Sequence, residues 1–98
     1  MPMYIGLVNW TDQGVKNVKD TLDRSAAFKK LATDMGCTVH GVFYTMGRYD
    51  LALRIEAPDD ATISAVVLKV AQLGNVRTET MRAYTETEFA EVLKKVSG

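Results

Sequence analysis

The chain has 98 residues, a length that suits a single domain over residues 1–98 with a core able to form without disulfides or metal. Its 12 basic and 12 acidic residues give a formal net charge of zero with no run of like charge, so we expect no nucleic-acid partner. The single cysteine, Cys37, excludes an intramolecular disulfide, and the lack of a signal peptide or of an apolar run near roughly 18 residues predicts a soluble, cytoplasmic protein with no membrane partner.

The first third of the chain predicts a strand followed by a broken helix. Met3 to Trp10 is rich in Ile, Leu, Val and aromatic residues and predicts the first strand. The apolar stripe that follows drifts round the helix cylinder, which a single straight helix does not explain. We therefore predict a short helical piece near Asp12–Lys19 and a main helix from about Thr21 to Met35, ended by Gly36.

Two strands joined by a tight turn form the middle of the chain. Cys37 to Met46 carries β-branched and aromatic residues, and Asp50 to Ala57 alternates apolar with polar side chains. The connection, Thr45 to Asp50, contains Gly47, which can adopt the positive φ that a turn needs. The sequence predicts a β-hairpin here.

A helix and an edge-like strand follow the hairpin. Pro58 ends the hairpin because it lacks an N–H for the strand ladder, and an apolar stripe at helical spacing then runs as far as Gly74. The members of that stripe are Ile63, Val66, Val67, Val70 and Leu73. Val76 to Tyr84 returns as a strand of mixed polarity, of which neither face is purely apolar.

The last element is a helix from about Glu86 to Val96. Thr85 and Glu88 stand at capping-box spacing, and apolar residues follow at helical period. The whole order is β-α-β-β-α-β with an added helix. That order predicts an α+β, ferredoxin-like fold with an antiparallel four-stranded sheet and helices on one face.

The second face of that sheet needs a cover, because Val42, Tyr44 and Tyr84, or their alternates along the strands, leave it too apolar to lie in water. We expect the chain itself to supply the cover as a homodimer or higher oligomer. A monomer would instead need the carboxy-terminal helix on that face.

Residues that could carry chemistry are few. His40 is the only histidine, and we treat it and Tyr49 as candidate catalytic residues, with a hydrogen-bonded structural or interface role as the alternative. No second histidine or cysteine is available for a metal, and no phosphate or dinucleotide loop is present, so we expect neither a metal site nor a cofactor.

The turn and the last strand predict one polar, ligand-binding site. Its main members are Tyr49, Asp50, Arg77 and Glu79, with Asn9 and His40 as outer candidates. A phenol and a carboxylate in a tight turn are expected to bond to something fixed. Structural locking of the turn, pairing of Arg77 with Glu79 and simple solvation of an edge strand stay open as alternatives.

Three stretches give the chain a resemblance to the GYD-domain family, which consists of small bacterial proteins of unknown function. They are Thr45–Asp50, Leu7–Gly14 and Gly74–Thr80, and the resemblance spans almost the whole chain. The family name implies Gly-x-Tyr-Asp, which the turn matches with Arg48 in the variable place. The proline that relatives carry near the start of the main helix is absent here. The resemblance implies a ferredoxin-like, dimeric α/β-barrel-like association and supplies no activity.

Two functional hypotheses follow. The first is a non-catalytic small-molecule-binding oligomer, with the ligand between sheet and helices or at the subunit interface. The second is a cofactor-independent enzyme, an isomerase or oxygenase of the dimeric ferredoxin-like barrel kind, with His40 or Tyr49 as acid or base and Arg77 as an anion anchor. A deep pocket that contains His40 would favour the enzyme. A purely structural assembly protein is a third possibility.

Overall fold

The computed structural model describes every residue from Met1 to Gly98, and its elements follow the predicted order. A short 3₁₀ turn, Val18–Asp20, lies between the first two helices. The strands and helices are β1 (Met3–Trp10), α1 (Asp12–Lys16), α2 (Thr21–Asp34), β2 (Thr38–Tyr44), β3 (Leu51–Glu56), α3 (Asp60–Ala71), β4 (Val76–Ala83) and α4 (Glu86–Ser97).

The four strands form one antiparallel sheet in the order β2-β3-β1-β4. This is the strand order of a ferredoxin-like fold, so the predicted α+β class and sheet are confirmed. The central strand β1 pairs with β3 on one side and with β4 on the other, which leaves β2 and β4 as edges. Helices α2 and α3 pack on the same face of the sheet.

A small core lies where the end of α2 meets the start of α3. It contains seven buried residues: Tyr4, Ala32, Cys37, Ile55, Ala57, Ile63 and Val66. The tight packing therefore involves the last turns of α2 and the first turns of α3, together with the ends of β1 and β3 beneath them. Cys37 is buried in this core, and burial raises the pKa of its thiol.

The predicted break in the first helical region is confirmed. The helix stops after Lys16, the 3₁₀ turn changes its direction, and α2 then starts at Thr21. At the other end of α2, Gly36 has φ of +86°, the left-handed conformation expected of a residue that ends a helix. Only the second part of the drifting apolar stripe faces the sheet: Phe28 and Ala32 pack in or against the core, whereas Val15, Val18 and Leu22 stay exposed.

Helix α1 is fixed to the connection between α3 and β4. The backbone N–H of Thr11 donates to the Asn75 carbonyl at 3.0 Å, and its hydroxyl donates to the Gly74 carbonyl at 2.5 Å. Gln13 Nε2 donates to the Leu73 carbonyl at 3.0 Å. The approach is so close that a Cβ added at Gly14 would lie 2.0 Å from the Asn75 carbonyl oxygen. A glycine is required at this contact.

Helix α4 has the predicted capping box but packs little against the rest of the chain. The Thr85 hydroxyl accepts a hydrogen bond from the Glu88 N–H, and the Glu88 carboxylate accepts one from the Thr85 N–H. This second bond lowers the pKa of the Glu88 carboxyl. Phe89 meets Tyr84 edge to face, whereas Val96 is 76% exposed. The helix does not cover the sheet. No helix in the chain is both long and apolar enough to cross a membrane.

The face of the sheet opposite to the helices is open. We call it the open face, and it is formed by Ile5, Leu7, Asn9, Phe43, Ala52, Arg54, Arg77, Glu79 and Met81. Phe43 is 64% exposed and Met81 44% exposed. Val42 and Tyr44 lie on the helix side of β2. Because successive side chains of a strand point to opposite faces, Phe43 between them lies on the open face.

Candidate functional site

The turn between β2 and β3 is held by its own hydrogen bonds. The Thr45 N–H donates to the Asp50 carbonyl at 2.8 Å, and the Thr45 hydroxyl donates to the Tyr49 carbonyl at 2.6 Å. Gly47 has φ of +120°, a conformation that L side chains rarely adopt. The predicted hairpin and its glycine are therefore confirmed.

Asp50 connects this turn to the central strand. Its backbone N–H donates to the Val8 carbonyl at 2.9 Å, and its carboxylate oxygen Oδ2 accepts a 2.9 Å hydrogen bond from the Trp10 N–H. The side chain thus acts as one more acceptor for β1, just before the first residue of β3. This contact gives Asp50 a structural role whether or not it also binds a ligand.

Tyr49 reaches from the turn to the edge strand. Its hydroxyl donates a 2.9 Å hydrogen bond to Glu79 Oε2, and this bond is the main cause of the raised pKa of the phenol. The Arg48 guanidinium lies 5.9 Å from the centre of the Tyr49 ring. A neutral phenol beside a carboxylate is a hydrogen-bonding pair that leaves the second carboxylate oxygen available.

Asn9 and Arg77 lie beside this pair. They are register partners on β1 and β4, and Arg77 is two residues from Glu79 on the same side of β4. Arg77 is exposed, and the ion pair considered between Arg77 and Glu79 does not form. The five predicted ligand-binding residues therefore gather near the same end of the sheet, where the turn adjoins the end of β1 and the start of β4. Their role in binding stays a prediction.

His40 lies apart from that group. It follows Val39 at an irregularity in the pairing of β2 with β3, and its Nε2 lies 2.8 Å from Glu56 Oε1. Glu56 is at the far end of β3 from the turn. The two candidate catalytic residues, His40 and Tyr49, are thus not brought together. No group of three or more His, Cys, Asp or Glu side chains is placed to hold a metal ion.

A largely apolar cleft lies on the other side of the sheet, between its helix-facing surface and helices α2 and α3. It encloses about 190 Å³, and 16 of its 23 lining residues are hydrophobic. Its walls and floor include Phe28, Leu31, Val67 and Val70 from the helices and Val8, Leu51, Leu53 and Thr78 from the strands. His40 is not among the lining residues.

Gly6 forms part of the floor of the cleft. It occupies the interior of the central strand and faces Leu53 and Thr80, its register partners, which also line the cleft. A Cβ added there would lie 3.1 Å from the Leu53 side chain. Glycine inside a strand often marks a place where a ligand or another backbone approaches closely.

Two hydroxyl groups meet at the exposed edge of the cleft. Tyr44 Oη lies 3.2 Å from Thr21 Oγ1 and donates a 3.3 Å hydrogen bond to the Thr21 carbonyl, so these side chains connect β2 to the first turn of α2. The Trp10 ring stacks on Tyr44 with centroids 6.3 Å apart. Trp10 is the only tryptophan in the chain, and it lines the cleft.

A second polar cluster, which the sequence analysis did not find, lies between α3, β4 and α4. The Tyr4 hydroxyl donates to Asp60, and this bond raises the pKa of Tyr4 to about 12. The Arg82 guanidinium lies 4.7 Å from the centre of the Tyr84 ring and 3.4 Å from Glu88. Arg82 also donates to the carbonyls of Met3 and Ala83. These groups satisfy one another and hold the base of α4.

The sequence model of the GYD domain matches residues 4–93. The chain belongs to the GYD domain family. This GYD domain is similar to a protein of Thermus thermophilus named "Glutamine synthetase and cystathionine beta-lyase binding protein". The two are 30% identical over 95 residues, which cover 96% of this chain and 100% of the relative.

One solved structure shows a similar fold at low identity. The GYD domain superposes on the crystal structure of MtbAldR with a TM-score of 0.66 and 14% identity, over 87% of this chain and 54% of that one. It therefore spans about half the length of MtbAldR, and the likeness concerns the fold alone. The C-terminal domain of the MgtC protein from Mycobacterium tuberculosis aligns with a TM-score of 0.46, 10% identity and coverages of 84% and 86%.

The three stretches that carry the resemblance meet at one end of the GYD domain. Thr11 and Gly14 contact the Gly74–Asn75 segment, while the turn reaches Trp10 through Asp50 and Glu79 through Tyr49. The sequence analysis expected a ligand between sheet and helices, but it assigned none of the lining residues of the cleft to that site, although one signal was available. Gly6, in the middle of a strongly apolar strand, indicated a gap in the packing at that point.

Proposed function

We propose that this GYD domain is a non-catalytic binding protein that works as a homo-oligomer and holds a small molecule between its sheet and helices. The observation that carries the proposal is the cleft, which encloses about 190 Å³ and is lined mainly by apolar side chains. Protein interiors are normally packed with few voids larger than a water molecule. A cleft of this size continuous with the core is therefore a place for a ligand.

The packing energetics support the same conclusion. The atoms that line an unfilled apolar cleft lack contact partners and forgo dispersion energy. Helices α2 and α3 meet closely only near Ala32 and Ile63, and they diverge towards Thr21 and Leu73. A ligand between the diverging ends would supply the missing contacts without moving the sheet.

The open face supports self-association. It combines exposed Phe43 and Met81 with two cations, Arg54 and Arg77, and with the carboxylate of Glu79. Glu56 adds a second carboxylate on the same side of β3 as Arg54, two residues away. An apolar face with balanced charges is complementary to a second copy of itself under two-fold symmetry. We propose that two sheets pack face to face in this way.

The predicted polar site then lies at the border of that interface. Tyr49, Glu79, Asn9 and Arg77 are on or beside the open face, and Asp50 fixes the turn that carries Tyr49. We propose that they make the polar contacts at the edge of the dimer, or bind a ligand shared between subunits. Because His40 does not line the cleft, the cleft offers no support for the enzyme hypothesis.

Native mass spectrometry of protein purified from its own host tests the proposal directly. We expect a dimer or larger assembly with an added mass that is lost under denaturing conditions. Co-purified molecules can then be identified in the released fraction. A monomer without added mass, recovered after gentle purification, would contradict both parts of the proposal.

A second candidate function is binding to a metabolic enzyme. The full-length relative at 30% identity is named for binding glutamine synthetase and cystathionine beta-lyase, which motivates the same test here. Purified GYD domain should be immobilised and exposed to each of these two enzymes from its own host. Saturable binding by either enzyme supports this candidate, and no binding at micromolar concentration removes it.

A further inference from the structure

We propose that the ligand of the cleft is a neutral, mainly apolar molecule about the size of one substituted ring, seated over Gly6 with its single polar group bonded to a hydroxyl of the lining. This inference rests on the proposed small-molecule binding and specifies the chemical class. It follows from the volume of the cleft, the charge of its lining and the position of its hydroxyl groups.

The volume sets the size of the ligand. The cleft encloses about 190 Å³. An engineered apolar cavity of roughly 150 Å³ in another protein stays dry and binds benzene. The cleft therefore has room for one ring with a small substituent and is too small for a nucleotide or a peptide. Gly6 deepens the floor where a planar ring can lie against the backbone of β1.

The lining sets the charge of the ligand. No carboxylate lines the cleft, and its one charged lining residue is Arg24. Two of the N–H groups of that guanidinium are held by backbone carbonyls, because Nη1 donates to the Asn17 carbonyl at 2.7 Å and Nη2 donates to the Gly14 carbonyl at 3.4 Å. A ligand carboxylate would therefore lose its water in a lining that is mainly hydrophobic, with at most this one held cation to offset the cost, which is unfavourable.

The hydroxyls of the lining set the position of the polar group. Thr21 and Tyr44 place two at the exposed edge of the cleft, and the Thr21 hydroxyl can turn from Tyr44 to a ligand because hydroxyl hydrogens rotate. Leu31 and Val70 on the helix side offer only aliphatic groups. A ligand with one hydroxyl or amide group is thus expected to direct that group to a lining hydroxyl and its ring to the aliphatic side chains. Three further hydroxyls line the cleft, those of Ser25, Thr78 and Thr80.

Three probes of similar size test this class: benzene, benzyl alcohol and benzoate. Trp10 reports binding, because it is the only tryptophan and lines the cleft. We expect benzene and benzyl alcohol to raise the melting temperature and change Trp10 emission in a saturable way. Benzoate should bind at least about tenfold more weakly than benzyl alcohol, because its charge must lose water.

A matched pair of variants locates the binding. Ser25→Leu adds apolar volume inside the cleft, whereas Thr33→Leu adds it on the exposed side of the same helix. The first should abolish the Trp10 response and the second should keep it. Should Ser25→Leu fail to fold, Val70→Phe fills the cleft from α3. Retained binding in a folded cleft-filling variant overturns the site.

The outcomes separate this inference from the proposed function. Benzoate binding as tightly as benzyl alcohol, with both lost in Ser25→Leu, would overturn the neutral class and leave small-molecule binding in place. A wild-type protein that responds to none of the three probes would overturn the inference as stated, since the cleft would then be closed or filled by protein. Proposed small-molecule binding would still be judged by the mass of the protein from its host.

Discussion

Tyr49 Oη donates a 2.9 Å hydrogen bond to Glu79 Oε2, and this contact spans the sheet from the β2–β3 turn to the edge strand β4. The central strand β1 lies between the two residues in the strand order. One hydrogen bond thus links parts of the chain that are 30 residues apart. It lies where two copies would meet if the open faces pack together.

We expect Tyr49→Phe to leave the melting temperature within about 2 °C of the parent, because water can replace an exposed hydrogen bond. The same change should weaken binding to the second copy or to a shared ligand, since Glu79 loses its partner. Differential scanning fluorimetry and light scattering over a dilution series measure the two effects. Tyr84→Phe is the control, because Tyr84 is an exposed tyrosine on the other side of β4. A drop of several degrees would mean that Tyr49 only fastens the turn.

Gly14→Ala should destabilise the protein by about 2 kcal/mol, a typical effect of forcing extra atoms into a closed contact. The added Cβ would lie 2.0 Å from the Asn75 carbonyl oxygen, so the α3–β4 connection must move. The sign of the change in unfolding free energy is diagnostic, because alanine ordinarily stabilises a helix relative to glycine by up to about 1 kcal/mol. Urea unfolding followed by Trp10 fluorescence gives the free energy. A stabilised Gly14→Ala protein would show that α1 does not contact this connection in solution.

Thr85→Ala should reduce helicity without lowering the main melting transition by more than about 2 °C. The reason is that α4 loses its cap while the core does not depend on α4, whose Leu93 is 53% exposed. Far-ultraviolet circular dichroism measures the helicity, and near-ultraviolet signals report the core. A large fall in the melting temperature would indicate that α4 packs on a surface of the second copy.

The Tyr4–Asp60 pair predicts a loss of stability at high pH. The pKa of Tyr4 is raised to about 12 in the folded protein, above the 10.0 of a free phenol, mainly by its hydrogen bond to Asp60. The hydrogen bond from Tyr4 to Asp60 therefore contributes fully to folding stability below pH 10, and this contribution is lost as the pH rises through about 12. We expect the stability difference between the parent and Tyr4→Phe to shrink across this interval. Urea titrations at several pH values measure it, and a difference that is constant with pH would refute the linkage.

Met81→Glu should dissociate the assembly. Met81 is an exposed apolar residue on the open face, and a carboxylate there would have to lose its water and would upset the charge balance of the face in a face-to-face dimer. Leu68→Glu is the matched control, because Leu68 is 63% exposed on α3, away from the open face. Light scattering at micromolar concentration should report monomers for the first variant alone. Equal effects of the two changes would place the interface elsewhere.

Local rules predicted the elements of this fold well. The hairpin depends on Gly47, the end of α2 on Gly36 and the capping box on Thr85 and Glu88, and each signal lies within a few residues of the structure that it determines. The same reasoning gave the ferredoxin-like order. The irregular pairing beside His40 had no such local signal. The separation of His40 from Tyr49 follows from the hairpin itself, because His40 lies near the start of β2 and Tyr49 lies in the turn beyond its end.

The candidate sites depend on contacts between distant segments, and this limited the sequence analysis. It grouped Tyr49 with Glu79 because both were polar and near strand ends, and the structure joins them. The role of Asp50 depends on the Trp10 N–H, 40 residues away, which no local pattern reveals. The cleft depends on the divergence of α2 and α3, a property of helix packing that apolar spacing along each helix does not encode.

The uneven burial of the interior also has a consequence for hydrogen exchange. Amides near Ala32 and Ile55 belong to the closely packed end and should exchange only when the whole domain unfolds. Amides in the last turns of α3, which border the cleft, should exchange through smaller openings that need no unfolding of the sheet. Such openings would give a ligand a route to Gly6. Once bound, it would slow exchange in those turns first and make the two ends of the domain open as one cooperative unit.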